Sequence, residues 1–172
     1  MRFIQVILLL SVSLAFTCCE VKVKTNNDKI SAEANSPDKI RNSIQLQKKG
    51  LNVSQAYLQF EDGKLVPADN KIELQQTVKM KLLIDGWKEE EGKVFPGASE
   101  IIQTSKGDTI LKSDDLFAEY TQGVSAEDTR IVSLSAVINN IDQLYDYFLV
   151  TYRVWDKKGD GEIKGSYKLF LK

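Results

Sequence analysis

Histidine is absent from this chain of 172 residues. Without imidazole there is no Ser-His-Asp or Cys-His nucleophile pair and no imidazole acid–base chemistry. Cysteine is confined to Cys18 and Cys19, so the rest of the chain carries no thiol. That excludes a disulfide framework and Cys/His metal sites, and the fold must be held by its core. Charge of one sign is not in excess either: 23 Lys and Arg stand against 24 Asp and Glu, well mixed along the chain. No basic stripe points to nucleic acid and no polybasic patch to anionic lipid. A Gly-rich phosphate loop and a Gly-x-Ser-x-Gly elbow are both missing. No enzyme activity and no cofactor are therefore expected.

What is present starts with one positive residue, Arg2, ahead of an apolar run from Phe3 to about Leu14. Small and polar residues follow, then the two cysteines. That is the order of a secretory signal. The run is shorter than the roughly 20 residues a helix needs to cross a bilayer. The ending resembles the lipobox of bacterial lipoproteins, in which a cysteine becomes the lipid-bearing first residue. In that family the cysteine follows an aliphatic residue, a small residue and Gly, Ala or Ser. Cys19 has Phe16, Thr17 and Cys18 before it; the alternative, Cys18, has Ala15, Phe16 and Thr17. Cys19 puts the smaller side chains next to the cleaved bond. The resemblance implies a signal peptide over residues 1–18 and a lipid anchor in the bacterial envelope, most simply the outer membrane. The periplasmic or surface face stays open. Several acyl chains would exceed the marginal binding that one chain gives. The other outcome is an ordinary signal peptide and a soluble periplasmic protein.

Residues 19–50 contain no aromatic side chain after the cysteines and only scattered aliphatics. Such composition buries too little to offset its ordering entropy, so a flexible tether is expected. Ser36-Pro37-Asp38 has the chemistry of a helix start, which places a short helix near 37–48 as a local exception.

From residue 51 the pattern changes to short alternating runs. Strands are expected at Asn52–Phe60, Val78–Ile84, Ser99–Thr104, Thr109–Leu111 and Arg130–Ile138. Tyr147–Trp155 and Ile163–Leu171 read as a long terminal hairpin around a Gly/Asp-rich turn. One helical turn is expected between Asp114 and Tyr120. About seven short strands in residues 51–172 suggest an all-β, antiparallel sandwich. The order resembles an immunoglobulin-like or fibronectin-type-III-like domain, with the long hairpin as its last two strands. Such a fold implies no activity by itself.

Two sets of residues are candidate sites. In a sandwich, the loop after Val78–Ile84 and the loop of the terminal hairpin share a pole. Trp87 and Trp155 would flank it, with Asp85, Asp156 and Asp160 nearby. An aromatic platform ringed by carboxylates suits sugar rings. The bland counterpart is two indoles covering the core. Asp156–Ile163 also resembles an EF-hand loop at its first, fifth, sixth and eighth positions. Lys158 and Tyr167 stand where further ligands are needed, so only feeble calcium binding at Asp156 and Asp160 is conceivable. The chain is thus expected to be a lipid-anchored, non-catalytic envelope protein with a protein partner or a structural role. Glycan binding is the alternative.

Overall fold

The computed structural model describes residues 39–172. The expected signal segment, Cys18, Cys19 and the expected helix start at Ser36-Pro37-Asp38 lie outside the described residues.

Twelve strands follow one another among the described residues. They are β1 (Lys39–Ile40), β2 (Gln45–Lys49), β3 (Asn52–Phe60), β4 (Lys71–Ile72), β5 (Val78–Asp85) and β6 (Lys93–Val94), then β7 (Pro96–Thr104), β8 (Thr109–Ser113), β9 (Val124–Ser125), β10 (Ile131–Ala136), β11 (Phe148–Asp156) and β12 (Glu162–Leu171). Two sheets face each other as an open sandwich. The smaller has the order β1-β3-β5-β10, and the larger β2-β12-β11-β7-β8 with β4 beside β12. All the long pairings are antiparallel. The all-β sandwich expectation is met, and the arrangement fits an immunoglobulin-like domain.

Alternation builds the core. Met80, Leu82 and Ile84 of β5 and Val132, Leu134 and Ala136 of β10 turn inward from one sheet. Ile102, Phe148, Val150, Val154, Ile163 and Leu169 meet them from the other. Each large aliphatic so buried contributes about 1.5–3 kcal/mol. β3 breaks simple parity: Val53 and Ala56 are both buried though three residues apart. A register shift between Val53 and Gln55 supplies the extra residue, as a β-bulge does. Between Asp114 and Tyr120 the chain makes turns, with Phe117 as the buried anchor.

Residues 39–50 correct the tether boundary and the short helix. They form β1 and β2 and belong to the sandwich. Asn42 and Ser43 turn the chain between them at φ 56° and 52°, a left-handed conformation that Asn tolerates. The buried Asn42 amide donates to the carbonyls of Val66 and Pro67 and to Asn70 Oδ1 at 2.9 Å. Its oxygen accepts from Leu58 N at 3.0 Å. Asn70 in turn donates to the carbonyls of Asn42 and Lys168. β2 then pairs with β12 over five residues. Pairing and this amide knot add to the little apolar burial the segment has, that of Ile44 and part of Leu46.

Candidate functional site

The pole expected to carry the site is an open recess of about 490 Å³ lined by Gly50, Gly86, Lys88 and residues 156–161. Its wall is set by Asp156, only 5% exposed. One carboxylate oxygen accepts from Lys88 N at 2.7 Å and the other from Lys158 N at 2.9 Å. The first bond ties the two loops together, and the second fixes the turn of the hairpin loop itself. Gly159 is required there, since a Cβ would lie 2.8 Å from that carboxylate. Among the described residues no group of three or more acidic or thiol side chains could hold a metal ion. Asp160 lines the recess and is exposed, while Asp85 accepts from Asn52 Nδ2 at 3.3 Å. Glu90 pairs with Lys88 and Lys158, so the pole carries mixed charge.

The two indoles do not form one platform. Trp87 follows Gly86, whose φ of +87° redirects the chain. Its ring packs against the core, with Nε1 buried and without a partner. Trp155 lies on the outward face of the larger sheet. Its ring covers Gly97 on β7, where a Cβ would come within 2.2 Å of the indole. The Arg153 guanidinium sits 4.6 Å from the ring centroid and also pairs with Glu162.

That outward face presents ordered rows of polar residues. Register places Lys49, Glu162, Trp155 and Gly97 in one row across β2, β12, β11 and β7. The next row holds Gln47, Lys164, Arg153 and Ser99, and the next Gln45, Ser166, Thr151 and Ile101. Further along, Lys168 lies 3.8 Å over the Tyr147 ring.

The opposite, inward face of the same sheet hides a titratable cluster. Glu100 is 1% exposed and pairs in register with Tyr152. Burial pushes its carboxyl up to about 8, and Oε1 has no hydrogen-bond partner. The Tyr152 and Tyr167 rings are 6.4 Å apart. Desolvation raises both phenols, that of Tyr167 further through Glu100. Tyr152 donates to the Gln45 carbonyl at 3.3 Å, whereas the Tyr167 hydroxyl has no partner. Glu100 is thus a desolvated carboxyl enclosed beside two phenols inside the sandwich.

The sheet edges differ in character. Among the described residues β10 pairs only with β5. Its sequence, Ile131-Val132-Ser133-Leu134-Ser135-Ala136, carries no charge and no proline. β2 carries Lys48 and Lys49, and β8 has Lys112 and a register shift. β1 is two residues long. Charge, bulges and shortness are the usual guards of an edge, and β10 has none of them.

No family model matches the chain, and no curated protein is similar to it. Among solved structures it is similar to one titled "Crystal structure of the C-terminal domain of wzt". The TM-score is 0.47 and the identity 13%, over 80% of this chain and 82% of that one.

Proposed function

We propose that this chain is a non-catalytic binding module of the bacterial cell envelope that takes a partner protein by strand addition at β10. The observation that carries the reading is the unguarded edge: six neutral residues with β5 on one side and, among the described residues, no strand on the other. Main-chain hydrogen bonds would supply affinity, and alternate side chains of the incoming strand would supply specificity. The N-terminal pattern supports a lipid on Cys19, or on Cys18 in the alternative register. The separate placement of Trp87 and Trp155 gives a glycan site built on both indoles no support.

A photo-crosslinking side chain at Ser133 or Ser135 tests this in intact cells. A discrete adduct from β10, absent from the same probe at Lys79 on β5, is the expected result. Ser133→Lys with Ser135→Lys should abolish a second probe's adduct at Ile131 while stability changes by less than about 0.5 kcal/mol. An adduct that survives this pair of charges defeats strand addition. Mass spectrometry of the mature N-terminus tests the anchor separately, and an unlipidated terminus removes it.

A further inference from the structure

The outward face of the larger sheet sorts charges that the linear sequence mixes. Its strand positions carry Lys49, Lys71, Lys112, Arg153, Lys164 and Lys168 against one carboxylate, Glu162. At the margins, Lys112 pairs with Asp114 just past β8 at 2.9 Å and Lys71 with Asp69 just before β4 at 3.3 Å. Setting those two pairs aside leaves four cations and one acid, a net of +3, on a chain whose formal net charge is −1. Glu162 holds Arg153 and Lys164 close together. The Trp155 ring carries the Arg153 guanidinium on the face, and Tyr147 carries Lys168. Strands about 4.8 Å apart and alternate residues about 7 Å apart put these cations on a shallow lattice.

Between the cations the face is amide and hydroxyl. Gln45 and Gln47 stand on β2, Ser166 on β12, Thr151 on β11, and Ser99 and Gln103 on β7. These groups both donate and accept hydrogen bonds, as sugar hydroxyls do. A docking face for lipid would need apolar side chains to insert. Here the outward apolar residues Ile101, Leu149, Trp155 and Phe170 are all partly covered, and Ile110, exposed at 43%, stands at the β8 margin.

We propose that this face binds an anionic polysaccharide laid across the strands. Its acidic groups would pair with Lys49, Arg153, Lys164 and Lys168, and its hydroxyls with the intervening amides and hydroxyls. The site is separate from β10 and independent of strand addition there. It also differs from the loop pole at which a glycan was first expected.

The full-length chain in neutral detergent is titrated with polygalacturonate, with dextran, with polyglutamate and with lipid vesicles. Polygalacturonate should bind in a salt-sensitive way, well above dextran and polyglutamate. The triple variant Lys49→Gln, Lys164→Gln, Lys168→Gln should lose about tenfold or more in affinity with an unchanged melting curve, since three exposed charge contacts are removed. Ser133→Lys with Ser135→Lys should leave polygalacturonate binding intact, so the two sites fail separately. Polyglutamate binding as tightly would reduce the face to bare charge and overturn the proposal. So would preference for phosphatidylglycerol over phosphatidylcholine vesicles without polysaccharide binding, or a triple variant that binds as the parent does.

Discussion

Replacing Glu100 with glutamine exchanges a titratable carboxyl for a neutral amide of nearly the same shape at the centre of the sandwich. The parent carboxyl is raised from its ordinary 4.5 to about 8 by burial. The groups facing it are the phenols of Tyr152 and Tyr167 from the adjoining strands, and the core across from it is aliphatic. Between those two values the native state keeps a proton that the unfolded chain has released. Stability therefore falls as pH rises, by about 1.4 kcal/mol per pH unit, and levels off above about pH 8. By pH 7 the accumulated loss is roughly 3 kcal/mol. The glutamine variant escapes it, because nothing at position 100 then titrates. Every other carboxylate is common to both proteins and cancels in the difference. Urea unfolding at pH 5, 7 and 9, followed by tryptophan fluorescence, measures the gap. The variant should gain little at pH 5, roughly 3 kcal/mol at pH 7, and somewhat more at pH 9 with no further growth. A gap of the same size at all three pH values would refute the reasoning, since it would leave the proton out of the effect.

Two other substitutions probe the joints of the fold. Asn42→Ala removes four hydrogen bonds at a buried position with left-handed backbone and should cost about 3 kcal/mol or more in chemical unfolding. Asp156→Ala releases the Lys88 and Lys158 amides, and hydrogen exchange at both should quicken alongside a loss of about 2 kcal/mol.

The long strands were legible because one face of each is buried and a two-residue period follows directly. β5 and β10 show it most plainly, with Lys79 and Lys81, and Ser133 and Ser135, between buried residues. β2 was not legible. Gln45-Leu46-Gln47-Lys48-Lys49 has one aliphatic residue, and its strand form comes from the edge of β12. Gly165 permits that approach, since a Cβ there would lie 2.1 Å from the Gln45 carbonyl and 2.5 Å from the Tyr152 hydroxyl. Nothing in residues 39–50 themselves reports this. Asn42 was not legible for a related reason: a lone asparagine in polar sequence looks solvated, and its four partners lie 16 to 28 residues away. Strand parity did give Trp155 its outward direction. Trp87 escaped parity because it lies past the end of β5, beyond Gly86. Glu100 carried a usable signal: it shares phase with Ala98 and Ile102, both buried. The adjacent pair Ile101-Ile102 left the phase of β7 undecided until its pairing with β11 fixed it. The cationic face is the converse case, since mixed charges separate only once register assigns each to a side.

The amide knot at Asn42 also decides how the domain bears load. A pull on the chain ahead of Lys39 meets β1 first, which has only two residues paired with β3. Behind it stands Asn42, bound to three carbonyl or amide oxygens of the 66–70 loop and to the main chain of β3. Two residue pairs would yield at low force, and the knot would then take the tension in parallel through several hydrogen bonds at once. The loop it grips reaches β12 through Asn70, so the strain passes to a strand next to the middle of the larger sheet. Extension by an optical trap should accordingly show a small early yield of the first few residues, followed by one cooperative rupture of the sandwich.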